Sequence, residues 1–328
     1  MEDNNIFRLE HVKVWFPVTD GFFKKTVGHV KAVDDVSINV RRNETLGIVG
    51  ESGCGKTTLG KAMMLLEKPT GGNVYFNDEG TERDITTFTK EETFQFRKKV
   101  QMIFQDPYSA LNPMKKIYTE MEEPLLIHGY KDKAEREAIM EEALKLVNIP
   151  VDYLFKSPHE FSGGQRQRVC IARAMEINPR VLVCDEAVSA LDVSIQAQVL
   201  NLMKDIQKER DLTYVFIAHD LSVVQYMSDR ILVMYLGKAV EMADSRELYD
   251  NTLHPYTVSL LSAIPVPVIN REKSRIILKG DVPSPINKPS GCPFHKRCDK
   301  CMEICKEVEP ELKDVDGKGH FVACHLYD

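Results

Sequence analysis

An α/β fold with a parallel-sheet core is predicted by three observations on this 328-residue chain. The run Gly50-Glu51-Ser52-Gly53-Cys54-Gly55-Lys56-Thr57 has the spacing G-x-x-x-x-G-K-T and stands between an apolar strand and a helix. Val181-Leu182-Val183-Cys184, Tyr214-Val215-Phe216-Ile217-Ala218 and Ile231-Leu232-Val233-Met234 are uninterrupted apolar runs, as strands buried on both faces require. Ile195, Val199, Leu202 and Ile206 lie between the first two runs at helical spacing, which suits the crossover of a right-handed βαβ unit.

In chain order, short alternating segments from Ile6 to Val40, such as Phe7 to Val12 and Ala32 to Ile38, predict antiparallel strands ahead of the glycine-rich run. Thr45 to Val49 reads as a buried strand and Thr58 to Leu66 as a helix. A second pair of strands is expected around Asn73-Val74-Tyr75-Phe76. From Leu111 to Ile149 the pattern turns helical, with Ile139, Ala143 and Val147 one turn apart and Glu and Lys on the other faces, which predicts a helical insertion. Ile264-Pro265-Val266-Pro267 and Val282-Pro283-Ser284-Pro285 bracket a proline-stiffened linker into a cysteine-rich tail. The expected division is therefore 1–264, with a helical part at about 106–178, and 265–328.

Composition removes several function classes. Lys and Arg number 43 against 49 Asp and Glu, a net charge of −6, which argues against nucleic acid as the main partner. No stretch approaches 18 apolar residues, and the start Met-Glu-Asp-Asn-Asn lacks a signal peptide's basic and apolar regions, so a cytosolic chain is expected. Eight cysteines in such a chain point to thiols or metal ligands rather than disulfides.

The glycines of the first motif let successive N–H groups converge on phosphate oxygens at a helix N-terminus. Gly50, Glu51, Ser52, Gly53, Cys54, Gly55, Lys56 and Thr57, together with Thr58, are assigned to a nucleotide, Lys56 to its terminal phosphates and the Thr57 hydroxyl to Mg²⁺. Asp185 and Glu186 follow the apolar run 181–184, at the C-terminal end of a strand where ligands gather in open α/β sheets. Asp185 can hold Mg²⁺ directly or through water, and Glu186 can take a proton from an attacking water.

Phe161-Ser162-Gly163-Gly164-Gln165 narrows the choice among nucleotide-binding families. With it the chain resembles the ATP-binding subunits of ABC transporters, which carry in order a phosphate loop, a glutamine loop, a signature like Leu-Ser-Gly-Gly-Gln, an Asp-Glu strand, a D-loop and a switch histidine. Gln105, Ser189-Ala190-Leu191-Asp192 and His219 supply the remaining members, and only Phe161 departs from the usual Leu. The resemblance implies an ABC ATPase cassette, a RecA-like parallel-sheet core with an antiparallel β subdomain and a helical subdomain. It implies ATP and Mg²⁺ as ligands, with Gln105 near the metal, Glu186 polarising the water and His219 sensing the γ-phosphate. Ser162, Gly163, Gly164 and Gln165 would cap the nucleotide of a second subunit in a head-to-tail pair. In this family adenine stacks on an aromatic of the N-terminal strands; Trp15 and Phe16 are the candidates, at most one of which can face the base, and Phe16 is chosen.

Gln105-Asp106-Pro107-Tyr108-Ser109-Ala110-Leu111-Asn112-Pro113-Met114 and Gly291-Cys292-Pro293-Phe294 extend the resemblance to the oligopeptide and dipeptide importers. The segment Gly21 to His29 and the run Gly50-Glu51-Ser52-Gly53-Cys54-Gly55 resemble the F-type ATPase of such importers. The resemblance implies a homologous D-type ATPase partner, two permeases, an extracytoplasmic solute-binding protein, and a place on the cytoplasmic face of the membrane. Peptide is the leading cargo, with oligosaccharide and nickel chelates as alternatives; a soluble ABC ATPase outside transport is the rival class. Cys292, Cys298, Cys305 and Cys324 match family members that bind an iron–sulfur cluster, so a [4Fe-4S] centre is expected. Cys301 makes a Cys-x-x-Cys pair with Cys298 that suits zinc equally, His295, His320 and His325 could serve as ligands, and unliganded thiols are the third possibility.

Overall fold

A computed structural model describes residues 4–20, 25–264, 276, 278 and 280–328. Pro265 to Pro267 of the expected linker, the boundary at 264/265 and Gly21 of the N-terminal segment lie outside the described residues. The chain divides into two compact units, Met1–Thr87 with Ala218–Asp328, and Phe88–Ile217.

The first unit opens with two long strands, β1 (Asn5–Asp20) and β2 (Lys25–Arg41), paired antiparallel. Phe7, Leu9, Val12 and Val14 of β1 are buried. The change of parity between Leu9 and Val12 is taken up by a register shift, where His11 adopts φ 50°. β3 (Thr45–Val49) is buried throughout and leads to α1 (Lys56–Met63). β4 (Gly71–Asp78) pairs with the other edge of β1 and β5 (Thr81–Asp84) with β4, giving the sheet order β2-β1-β4-β5. The strands expected near residue 75 are these two.

The second unit begins with α2 (Lys90–Lys99), entered through a Thr89–Glu92 capping box, and β6 (Val100–Ile103). Helices α3 (Pro107–Ala110), α4 (Ile117–Ile127), α5 (Lys133–Leu146) and α6 (Gly163–Met175) follow. On α5, Met140, Ala143 and Leu144 are buried; of the expected stripe, Ala143 and Val147 at the helix end are buried and Ile139 is half-buried. β7 (Val181–Asp185) and β8 (Thr213–Ile217) flank α7 (Val193–Arg210), whose Val199, Leu202, Met203 and Ile206 are buried. β6, β7 and β8 are parallel with β7 in the middle, so β7 and β8 with α7 form the expected βαβ unit.

The chain re-enters the first unit with α8 (Leu221–Met227) and β9 (Arg230–Tyr235), which lies parallel to β3. β10 (Lys238–Asp244) returns antiparallel to β9 and is followed by α9 (Ser245–Asp250) and α10 (Pro255–Ser262). The tail adds α11 (Ile304–Glu307) and two short strands, β11 (Lys313–Asp314) and β12 (Phe321–Val322). β12 pairs antiparallel with β10, so the C-terminus is built into this unit's sheet by main-chain bonds. Arg230 and Glu44 form a buried two-pronged ion pair, Nε to Oε2 at 3.0 Å and Nη2 to Oε1 at 2.8 Å. Among the described residues no helix is long and apolar enough to cross a membrane.

Candidate nucleotide site

The glycine-rich loop joins β3 to α1, and its backbone needs the residues it has. Gly50 and Gly55 sit at φ 148° and 103°. A Cβ on Gly50 would lie 2.2 Å from the Met234 carbonyl oxygen, and one on Gly55 2.0 Å from that of Ala32. Gly55 precedes α1 and has no side chain to cap it, so the first-turn N–H groups and the positive end of the helix face the loop. Lys56 is buried at 7% exposure, and its Nζ donates to the carbonyl oxygens of Gly50 (2.8 Å) and Glu51 (3.2 Å), which tethers the ammonium inside the loop. Burial pushes the Cys54 thiol up, partly offset by Lys56, so Cys54 is a small packed neighbour and not an anion here. Ser52 and Gly53 are exposed, and Thr57 and Thr58 half-buried. In the same unit the Ala218 N–H donates to the Ile48 carbonyl oxygen at 3.3 Å, which holds exposed His219 beside the strand that feeds the loop.

The second unit carries the carboxylates. Asp185 ends β7 and is buried, and Glu186 follows at φ 48° with its N–H donating to the Ile217 carbonyl oxygen at 2.9 Å. That left-handed turn sends the Glu186 side chain away from the strand direction. Gln105, just beyond β6, donates from Nε2 to Glu186 Oε2 at 2.7 Å. Parallel pairing of β6 with β7 puts both C-terminal ends at one edge, which is why residues 81 apart meet.

Ser162 caps α6 in a closed capping box: its Oγ accepts from the Gln165 N–H (3.3 Å) and Gln165 Oε1 accepts from the Ser162 N–H (3.0 Å). Gly163 follows without a side chain, and a Cβ on Gly164 would lie 2.3 Å from Ile195 Cγ2. The side-chain oxygens at this terminus are thus spent on the cap, and Gly163 is half-buried, with Leu191 Cδ2 and the Tyr108 hydroxyl 3.4 and 3.5 Å from where its Cβ would stand.

In β1 the two aromatic candidates part as alternation requires. Trp15 is half-buried, its Nε1 donates to Asp34 Oδ1 at 3.1 Å, and Lys31 Nζ lies 4.5 Å over its ring. Phe16 is 36% exposed.

The cysteine tail corrects an expectation. Cys292, Cys298, Cys305 and Cys324 do not form the iron–sulfur site, nor with Cys301 a zinc site, because among the described residues no three His, Cys, Asp or Glu side chains form a group able to hold a metal ion. The imidazoles named as alternative ligands are committed elsewhere: His295 Nδ1 bonds the Cys292 carbonyl oxygen, His320 Nε2 bonds Glu241, and both nitrogens of His325 are used by Asp328 and the Val308 carbonyl oxygen. Burial pushes the Cys292 thiol up to about 12 and that of Cys298 up to about 11, which favours the neutral thiol over the thiolate a metal needs. Backbone bonds organise the segment instead, with the Cys292 N–H donating to the Cys305 carbonyl oxygen at 2.8 Å.

Local motifs gave no sign of a second set of contacts to the loop. Tyr256 of α10 is fully buried and its hydroxyl accepts from the Glu51 N–H at 2.8 Å, while Arg297 of the tail pairs with the Glu51 carboxylate. These partners lie 205 and 246 residues from Glu51, so only the fold reveals them.

Comparison with known proteins places these features in a family. Residues 33–189 match the ABC transporter family, and residues 240–305 match the oligopeptide/dipeptide transporter C-terminal region. The chain is 51% identical to the oligopeptide transport ATP-binding protein AppF of Bacillus subtilis, over 98% of this chain and 97% of that protein. It is 44% identical to the dipeptide transport ATP-binding protein DppF of Escherichia coli, over 97% and 93%. Among solved structures it resembles the dimeric, post-hydrolysis ATP-binding cassette MJ0796 bound to ADP and Pi, with a TM-score of 0.63 and 27% identity over 73% of this chain and 99% of that one. The fold is shared with cbiO1 of Clostridium perfringens at a TM-score of 0.65 and 24% identity, over 76% and 92%. The chain therefore belongs to the oligopeptide/dipeptide family of ABC-transporter ATP-binding subunits.

Proposed function

We propose that this subunit hydrolyses ATP to drive the import of di- or oligopeptides, pairing head to tail with a homologous D-type ATPase subunit on the cytoplasmic face of the membrane. The observation that carries the hydrolytic reading is the Gln105–Glu186 hydrogen bond at the end of the parallel strands. It orients the carboxylate that accepts a proton from the attacking water, whose oxygen joins the γ-phosphorus as the bond to ADP breaks.

The phosphate loop, residues 50–57 with Thr58, takes the polyphosphate through its N–H groups, and Lys56 exchanges its loop carbonyls for the terminal phosphate oxygens. Mg²⁺, held by Thr57, Gln105 and Asp185, would neutralise charge developing on the phosphates. His219 contacts the γ-phosphate, and Phe16, more open than Trp15, offers its ring to adenine. Ser162, Gly163, Gly164 and Gln165 present the start of α6 to the nucleotide held by the partner subunit, a reading supported by the ABC transporter match over residues 33–189. We assign the ATP-binding domain to 1–264, its helical part at about 106–178 to coupling with two permeases, and 265–328 to the family's C-terminal region. Delivery of cargo by an extracytoplasmic solute-binding protein and the F-type identity of the chain complete the proposal; relatives named for oligopeptide and dipeptide transport support peptide as cargo.

Uptake of a labelled tripeptide by cells lacking this chain tests the reading. Complementation with the native chain should restore uptake and E186Q should not. Undiminished peptide uptake in the deletion strain, with loss of oligosaccharide or nickel uptake instead, would reassign the cargo; no transport defect at all would overturn the role.

A further inference from the structure

A carboxylate is an unexpected neighbour for phosphate, yet Glu51 stands inside the phosphate loop. Its charge is met from the tail: Arg297 donates from Nη1 to Oε2 at 2.7 Å and from Nη2 to Oε1 at 3.0 Å, a parallel two-bond pair. The Arg297 side chain is only 8% exposed and the Glu51 side chain 27%. Nη1 also reaches the Tyr235 hydroxyl at 3.4 Å. Behind the guanidinium, Phe294 packs on Tyr235 and Tyr256, with ring centroids 5.3 and 5.4 Å away, and Tyr256 accepts the Glu51 N–H. Glu51 is therefore fixed at both its backbone and its carboxylate by residues outside the loop. A second contact joins the tail to the neighbourhood of the aromatic candidates, where Lys288 Nζ meets Asp34 Oδ2 at 3.1 Å and Asp34 Oδ1 accepts from Trp15.

We propose that Arg297 is a positioning residue for nucleotide binding: it neutralises the Glu51 carboxylate and turns it away from the phosphates, so that the tail sets the affinity of the loop. The proposal rests on reading residues 50–57 as the phosphate loop. An uncompensated negative charge several ångströms from a polyphosphate opposes binding through Coulomb repulsion, whereas loss of the pair as a whole removes both signs together. The effect is therefore one of charge balance, and it has a double-mutant signature.

The test is calorimetric binding of magnesium–ADP to the full chain and its variants, with circular dichroism to check folding. R297M should weaken binding about tenfold, a shift of the size expected for one unscreened charge near the phosphates. R297K, which keeps the charge, should weaken it less than about threefold, and E51Q, which leaves Arg297 facing the loop unpaired, should bind more tightly than the native chain. The double variant E51Q/R297M should recover to within about threefold of native affinity. A double variant as weak as R297M would overturn the proposal and reduce Arg297 to a packing residue. If R297M does not fold, E51Q decides alone: tighter binding upholds the proposal, and unchanged or weaker binding overturns it. A native chain that fails to bind magnesium–ADP would defeat the nucleotide reading and this proposal with it; native binding with no change across the set would defeat only the proposal.

Discussion

The Gln105 amide donates to the Glu186 carboxylate across 2.7 Å, and the two residues follow the C-terminal ends of neighbouring parallel strands. A neutral donor holds the carboxylate in place without removing its charge. E186Q should accordingly lower the turnover number about 10²- to 10⁴-fold with little change in nucleotide affinity, as removal of a general base does. Single-turnover hydrolysis and calorimetry on the same preparation check both halves.

Q105E tests the same contact through pH. A second carboxylate within hydrogen-bond reach disfavours ionisation of both. The acid limb of the turnover profile should therefore move to higher pH than in Q105A, which only removes the donor; coincident profiles would deny that residue 105 acts on Glu186.

At the start of α6, Gly164 is required by packing. G164A would drive its Cβ to 2.3 Å from Ile195 Cγ2, a branch that cannot swing aside as a long side chain does. Destabilisation of about 1–3 kcal/mol is expected, as for other overpacked sites. I195A, which removes the obstructing methyl, should recover part of the loss in G164A/I195A; thermal denaturation reads the comparison.

Much of this arrangement could be read before any coordinates. The runs at 181, 214 and 231 announced buried strands because strands covered on both faces carry no polar alternation, and the helix between the first two followed from its spacing. The glycine-rich loop was legible because its glycines answer local demands, such as φ 148° at Gly50. The tail was not. Its cysteines were read as cluster ligands from their likeness to family members that bind one, but whether His320 or His325 can bind metal depends on Glu241 and Asp328, and residue types alone do not reveal such pairing. Arg297 was missed for the same reason, since nothing near it in sequence points to Glu51. β11 and β12, two residues each, are too short to leave a periodic trace.

The buried Arg230–Glu44 pair should be costly to break on one side. Arg230 also donates to the Asn39 carbonyl oxygen at 2.6 Å, so R230M strands a buried carboxylate and an acceptor together. A loss of about 3–5 kcal/mol is expected, and E44Q/R230M should lose less because no lone charge remains. Denaturant titration of the three chains orders them.

His254 gives a pH dependence of definite sign. It is buried at the start of α10, where Nδ1 accepts from the Tyr256 N–H at 3.1 Å. Burial pushes its imidazole down to about 4, against the opposing charge of Glu241. A folded-state value below the unfolded one means that stability is full above about 6.5 and is lost as pH falls toward 4, about 1 kcal/mol between pH 7 and 5.5. His320 works in the opposite direction: burial lowers its value, but the hydrogen bond and charge of Glu241 raise it overall, so its contribution is present at low pH and fades above 6.5. H254N retains a capping acceptor, and the difference between its stability and that of the native chain at pH 7 and 5.5 isolates His254. No change in that difference with pH would refute the assignment.

Hydrolysis by this subunit should be coupled to peptide movement. The most direct measurement is ATP turnover by the complete transporter in lipid vesicles, with labelled peptide followed in the same sample. Peptide with its solute-binding protein should stimulate turnover, peptide should accumulate in step with phosphate release, and E186Q in this chain should abolish accumulation. Accumulation that persists with E186Q, or phosphate release indifferent to peptide, would contradict that coupling.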